Sequence, residues 1–236
     1  DKLVTGVQTC ALPILPGRWG RSKTQVEDLK RETGEHPLYD SFWQSKAADL
    51  SRITVPAYVV ASWTDQGLHT RGTLEGFRRM SSIEKWLEVH GRKKWAYFYE
   101  PESVRRQQAF FDRFLKGMNN DVPRWPKVRL EVRERYYVGA ERRENEWPIA
   151  RTVYTRLYLD ARDGSLKREP VKAEASCRYA AAYDSDGRAR FDFGFDRRTD
   201  LVGHMKLKVW MKPEGADDLD VFVAVQKLDA RGEVVP

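Results

Sequence analysis

The period of the hydrophobic positions changes about halfway along the chain. In the first half, Val55-Pro56-Ala57-Tyr58-Val59-Val60-Ala61 is a continuous apolar run without alternation, the pattern of a parallel strand buried on both faces. Asp65-Gln66-Gly67 breaks the run, and residues 69–80 predict a helix with Leu74, Phe77 and Arg78 near one face. Trp86-Leu87-Glu88-Val89 predicts a second short strand, ended by His90-Gly91. Pro101 opens a further helix, Phe111, Phe114 and Leu115 give it an apolar stripe, and Gly117 closes it. Upstream, residues 23–33 predict a short polar helix closed by Gly34. His36-Pro37 interrupts, and Asp40 is placed to cap a helix over 41–49 that carries Phe42 and Trp43. Strand, helix, strand, helix is the order of an α/β fold around a parallel sheet.

From Asn119-Asn120-Asp121-Val122-Pro123 onward the period becomes 2. Val128, Leu130 and Val132 alternate with Arg129, Glu131 and Arg133, and Thr152 to Leu159 is a further strand-like run broken at Asp163-Gly164. Asp186-Gly187 marks a turn before Phe191, Phe193 and Phe195. Leu207, Val209 and Met211 then alternate with Lys206, Lys208 and Trp210, and Leu219, Val221, Val223 and Val225 form a last alternating run. Several strands with turn signals and one polar face predict an antiparallel β-sandwich, with a domain boundary near residue 120.

Composition narrows the class. The 236 residues are 41% hydrophobic and 33% charged, with eight Trp, ten Tyr and ten Phe, which excludes a disordered polyampholyte. No window approaches the roughly 18 apolar residues of a membrane span, so a soluble globular chain is expected. No signal-peptide pattern is present, and a cytoplasmic location is favoured. Cys10 and Cys177 lie too far apart in sequence for a disulfide scaffold or a cysteine-based zinc site. The net charge of +7 is spread by interleaving bases with acids, as in Arg129, Glu131, Arg133, Glu134 and Arg135. A nucleic-acid binder concentrates its positive charge instead, and the longest basic cluster here is Arg92-Lys93-Lys94 beside Trp95, so a solvated charged surface is the expectation.

The ends of the chain are unusual. Residues 4–14, Val-Thr-Gly-Val-Gln-Thr-Cys-Ala-Leu-Pro-Ile, carry no charge and no clean period, and they resemble the translation of a common sequencing adapter. Residues 1–15 are therefore set aside from fold reasoning, the alternative being a genuine, slightly hydrophobic N-terminal arm. The sequence stops at Glu233-Val234-Val235-Pro236, directly after a strand and a turn, and reads as a fragment cut at both ends.

Chemistry has few candidates. Neither His-x-x-x-His nor His-Glu-x-x-His occurs, so neither a zinc hydrolase site nor any other metal or cofactor is expected. Gly-x-Ser-x-Gly is also absent. Asp65 and His90 each follow a predicted buried strand with one helix between them, and loops at the carboxyl ends of parallel strands converge on one rim. A carboxylate there can orient an imidazole and stabilise the imidazolium formed when the ring takes a proton from a serine. The order acid then His is that of α/β-hydrolases, in which the serine comes first. Asp65-Gln66-Gly67 equally suits a turn or a helix N-cap. His69 is a rival base expected in the first turn of the next helix, and His36 and His204 are expected to be structural or exposed.

Three stretches carry a resemblance: His36-Pro37-Leu38-Tyr39-Asp40-Ser41-Phe42-Trp43, Ile53-Thr54-Val55-Pro56 with Trp63-Thr64-Asp65, and Gln108-Ala109-Phe110-Phe111-Asp112-Arg113-Phe114-Leu115-Lys116-Gly117. They resemble the cocaine-esterase-like (CocE/NonD) acyl hydrolases, relatives of the X-prolyl dipeptidyl aminopeptidases. Asp217-Asp218-Leu219-Asp220-Val221-Phe222-Val223, with Leu228-Asp229 and Gly232, is similar to the C-terminal jelly-roll of that family. The resemblance implies the C-terminal portion of an α/β-hydrolase parallel sheet over 16–120 and an incomplete jelly-roll β-sandwich over 121–236. By position it implies Asp65 as triad acid, His90 as base and Trp63 near an acyl pocket. The implied parent cleaves an ester or an X-Pro peptide bond through an acyl-enzyme, with a small-molecule ester or peptide as partner and neither nucleic acid nor membrane. With the serine absent, the chain alone is expected to be inactive and, through its open sheet edge, prone to self-association. The rival readings are a carbohydrate-binding sandwich, favoured by exposed coplanar aromatics and disfavoured by burial of Trp147 and Trp210, or a purely scaffolding one.

Overall fold

The computed structural model describes residues 29–235 apart from 66, 68, 183 and 186. The adapter-like stretch, Cys10 and the first part of the predicted 23–33 helix lie outside the described residues. The chain divides into two units, one ending at Asp49 and the other running from Leu50 to Pro236.

The first unit holds helices α1 (Leu29–Glu35) and α2 (Ser41–Lys46). Helix α1 runs through Gly34 instead of stopping at it, the His36 amide donating to the Glu32 carbonyl at 2.8 Å before Pro37 removes the next donor. Asp40 caps α2 as expected, its carboxylate accepting from the amides of Phe42 and Trp43. The helix ends at Lys46 and not at 49, because Ala47 is already extended. The His36–Trp43 stretch closes on itself. His36 Nδ1 lies 2.6 Å from Asp40 Oδ2, its ring stacks on Phe42 at 4.2 Å, and the Trp43 indole donates to the His36 carbonyl at 2.8 Å. The hydrogen bond from His36 is the main reason the Asp40 carboxyl is held below its ordinary range. His36 is thus structural, as its setting beside Pro37 implies.

The second unit is built on a four-stranded sheet in the order β1 (Ala57–Ser62), β2 (Lys85–His90), β3 (Val128–Arg135) and β4 (Val138–Glu144). The first three strands are parallel and β4 returns antiparallel to β3. Helices α3 (Thr70–Arg79), α4 (Lys94–Phe98) and α5 (Pro101–Lys116) connect them. Alternate residues of β2 enter two different cores. Leu87 and Val89 pack with Ala61, Val128, Leu130 and, from α3, Leu74 and Phe77. Trp86 packs on the other face with Phe110 of α5 and Val122. Strand β2 is thus covered on both faces, and each such large side chain contributes roughly 1.5–3 kcal/mol by burial, whereas β1, the strand of the unbroken apolar run, ends the sheet order and leaves Val60 exposed.

The structure departs from the sequence reading in four places. Alternation at 128–132 suggests a sandwich strand, yet β3 adds in parallel to β2 through Leu87–Val128, Glu88–Arg129 and Val89–Leu130. The sheet and the first core therefore continue past residue 120, and Trp147 and Ile149 complete that core. Helix α4 fills a stretch the sequence presents only as a basic cluster. The buried stripe of α5 is Ser103, Arg106 and Phe110; of the expected stripe, Phe114 packs against Trp86 and Phe110, while Phe111 and Leu115 are 53% and 76% exposed. Finally, 152–159 contributes only β5 (Tyr158–Asp160), paired with β6 (Ser165–Lys167) around the Asp163-Gly164 turn, where Gly164 has φ 69. Residues 206–211 and 219–225 pair with no strand among the described residues, and Trp210 is 92% exposed. Alternation supplies a strand with two faces but does not supply the neighbour whose backbone completes the ladder.

The rotation of α5 has a cause. Glu88, midway along β2, has a side chain only 5% exposed and accepts from Arg106 Nε at 3.1 Å and Nη2 at 3.0 Å. The hydroxyls of Tyr58 and Tyr97 donate to the same carboxylate. Replacing Arg106 with Met leaves that charge buried and unpaired, and we expect a loss of about 3–5 kcal/mol in urea unfolding. The double variant Glu88→Leu/Arg106→Met should recover much of it. A single-variant loss below about 1 kcal/mol would refute the assignment of a fully buried pair.

Candidate active site

Strands β1 and β2 run parallel with Ser62 opposite His90, so the chain leaves both strands at the same rim. A single 3-10 turn, Trp63–Asp65, follows β1, and Gly91 to Lys93 lead from β2 into α4. This is the rim at which α/β folds collect functional side chains. Asp65 and His90 both stand there, as the sequence order predicts.

His90 is the last residue of β2 and is buried. Its ring stacks on Tyr97 of α4 with centroids 3.7 Å apart and planes 13° from parallel. Its Nδ1 accepts from the Arg92 amide at 3.2 Å, which puts the proton of the neutral ring on Nε2. Burial is the main cause that lowers its pKa to about 4, with the charges of Arg92 and Arg106 acting in the same direction. Burial also raises the phenols of Tyr97 and Tyr58 well above the ordinary tyrosine range, followed by the charge of Glu88.

Asp65 Oδ2 pairs with Lys94 Nζ at 3.1 Å. Among the described residues no hydrogen bond joins Asp65 to His90. The two loops are tied to each other instead. The Arg92 carbonyl accepts from the Thr64 hydroxyl at 3.0 Å and from the Ser62 hydroxyl. Trp63 packs against the first core and its indole donates to the Glu131 carbonyl at 2.7 Å. His69 is the N-cap residue of α3 without a capping side-chain bond, and His204 meets the Trp147 ring edge-on at 5.7 Å. Glu32, Glu35 and His36 could converge on a metal ion, but Nδ1 of that histidine is already bonded to Asp40.

The sequence reading did not single out Lys94, Tyr97, Glu88 or Arg106. One signal was available: a glutamate inside an apolar strand demands a buried cation, and an arginine on the covering helix is the natural supplier. Chemically, the rim presents an imidazole that stays neutral across the neutral range, with Nδ1 occupied by the Arg92 amide.

Residues 120–236 match the X-Pro dipeptidyl-peptidase C-terminal non-catalytic domain. The chain is 30% identical to cocaine esterase of Rhodococcus sp. (strain MB1 Bresler), over 53% of this chain and 24% of that protein. Two crystal structures of a CocE/NonD family hydrolase from Staphylococcus aureus match at 44% identity and a TM-score of 0.61. They cover 62% of this chain and 26% and 27% of their own. The chain thus spans about a quarter of the length of these relatives. These matches define a hydrolase-related chain that carries an X-Pro dipeptidyl-peptidase C-terminal domain. More narrowly, the chain is CocE/NonD-like. Among the described residues no helix is long and apolar enough to cross a membrane.

The lowered pKa of His90 has a consequence for stability. Above about pH 6.5 the ring is neutral folded or unfolded. Between there and about pH 4 the unfolded chain takes up a proton that the folded chain refuses, so stability falls as pH falls through that window. The slope attributable to this ring approaches about 1.4 kcal/mol per pH unit. Urea midpoints from pH 7 to 4.5 should therefore decline more steeply for the natural chain than for His90→Gln. Parallel curves would mean that the imidazole titrates normally in the folded state.

Proposed function

We propose that this chain supplies the acid and the base of a serine hydrolase that cleaves acyl esters or X-Pro peptide bonds through an acyl-enzyme. The observation that carries the reading is the emergence of Asp65 and His90 from adjacent parallel strands at one rim, with Ser62 and His90 in register. The nucleophilic serine comes from outside these 236 residues, since none stands in a Gly-x-Ser-x-Gly elbow here. Serine attacks the carbonyl, His90 takes its proton and returns it to the leaving group, and Asp65 orients the ring and stabilises the imidazolium. Engaging Asp65 in this way turns His90 Nδ1 from the Arg92 amide toward the carboxylate that Lys94 now holds and moves the ring proton from Nε2 to Nδ1, which frees Nε2 to accept from the serine. Trp63 borders the acyl pocket, and the part of the chain beyond β4 belongs to a jelly-roll that supports the hydrolase part. The partner is a small ester or peptide, not a nucleic acid or a membrane. Among the described residues β1 ends the sheet order, so its outer edge offers a route to self-association.

A carbohydrate-binding role for the C-terminal part has one observation in its favour, the exposed Trp210, and loses Trp147 to the core.

The test is a segment exchange in which residues 29–236 replace the matching part of the Staphylococcus aureus hydrolase. The chimaera should hydrolyse a chromogenic ester. His90→Ala should lower its kcat by roughly 10³-fold or more, and Asp65→Asn by a comparable order through loss of the correct tautomer. The 236-residue chain alone should show no turnover. Ester hydrolysis by the chain alone, abolished by His90→Ala, would contradict the absence of its serine. A chimaera indifferent to His90→Ala would overturn the role of the base.

A further inference from the structure

We propose that the β3–β4 hairpin, within the segment that matches a non-catalytic domain, carries the residues that position the His90 loop, namely Glu131 and Arg133. The inference rests on the reading of His90 as base, and deepens it. Gly91, the residue after His90, is held at both of its backbone groups: its amide donates to Glu131 Oε2 at 3.1 Å, and its carbonyl accepts from Arg133 Nη2 at 3.0 Å. Two further ties run from the same hairpin. Arg92 Nη1 donates to the Tyr137 carbonyl at 2.8 Å with its guanidinium 4.9 Å above the Tyr137 ring, and the Trp63 indole donates to the Glu131 carbonyl. One hairpin thereby grips the loop that follows the acid-bearing strand and the loop that follows the base.

The fit is close and expensive to maintain. A Cβ at Gly91 would lie 2.1 Å from Glu131 Oε1, so only glycine lets the carboxylate approach the backbone this way. Tyr137 sits at φ 59, the left-handed region that a bulky residue rarely adopts, in the turn that presents its carbonyl to Arg92. Glu131 Oε1 and Arg133 Nε are buried without a hydrogen-bond partner. Unpaired buried polar atoms and a strained turn oppose stability, and such features concentrate where geometry serves a function.

The readout is the His90 imidazole in the full 236-residue chain, followed by NMR titration, so it stands or falls apart from any turnover measurement. The charged and titratable groups around the ring or its loop are Glu88 of β2, Asp65 with Lys94, Arg92, Tyr97 of α4, Arg106 of α5, and Glu131 and Arg133 of β3. Charge alone would move the midpoint oppositely on removal of Glu131 and of Arg133, downward for the first and upward for the second. Loosening the loop admits water to the ring and moves both midpoints upward, toward about 6.5. We expect Glu131→Ala and Arg133→Gln each to raise the midpoint by about one unit or more. Glu131→Gln, which keeps an acceptor for the Gly91 amide, should leave it within a few tenths of the natural value. Midpoints that move in opposite directions, or not at all, would overturn the proposal. Should Glu131→Ala fail to fold, Arg133→Gln against Glu131→Gln decides it by the same criterion.

Discussion

Glu88 enters β2 as a carboxylate between Trp86 and His90, on the face of the sheet that α5 covers, and it must be compensated there. A buried carboxylate left unpaired is too costly for a domain to carry, so its partners are obligatory. Arg106 gives it two N–H groups from α5, Tyr58 a hydroxyl from β1 and Tyr97 a hydroxyl from α4. Compensating one charge therefore docks one strand and two helices against β2. The same requirement sets the surroundings of the imidazole. With its hydroxyl end held by Glu88 and by Arg106 at 2.6 Å, the Tyr97 ring has little choice but to lie over His90. Burial and the charge of Glu88 keep both phenols protonated, so these donors persist far above neutral pH.

Helix α4 links His90 to Asp65. It is only one turn long, yet Lys94 at its start holds Asp65 and Tyr97 one turn later stacks on His90. Residues Arg92 and Lys93, which lead into it, belong to the loop whose carbonyl is bonded by Ser62 and Thr64. A movement of α4 would thus alter the setting of Asp65 and of His90 together. Asp65 is paired with Lys94 and His90 Nδ1 with the Arg92 amide, so each side chain is held from the segment that follows β2.

Parts of this arrangement are legible in the sequence because local chemistry decides them. Asp40 has no better use than capping α2, Pro101 stands where a helix begins, and Gly117 takes the left-handed conformation, φ 67, that ends one. The unbroken run ending at Ala61 is a strand, though one at the end of the sheet order with Val60 exposed, and with it came the placement of Asp65 after β1. The stripe of α5 was misjudged for the opposite reason. Counting apolar residues selects Phe111 and Leu115, whereas the core face contains Arg106, whose burial makes sense only once Glu88 is opposite it. Strand β3 shows the same limit. Its alternation announces one apolar face, but whether that face joins a sandwich or a parallel sheet is settled by which strand offers a free edge.

That edge belongs to β2, and the consequence reaches the chemistry. The second core draws on residues either side of position 120, Trp86 and Phe110 with Val122, and the first on Leu74, Phe77, Leu87 and Val89 with Val128, Leu130, Trp147 and Ile149. Because β3 closes the parallel part of the sheet, its polar side chains Glu131 and Arg133 reach the backbone that follows His90, while its apolar ones fill the core beneath. The alternation that makes β3 amphipathic therefore assigns its two faces different tasks: Val128 and Leu130 hold the sheet together, and Glu131 and Arg133 beyond them hold the loop. A segment that matches a non-catalytic domain thus still holds the backbone that follows His90.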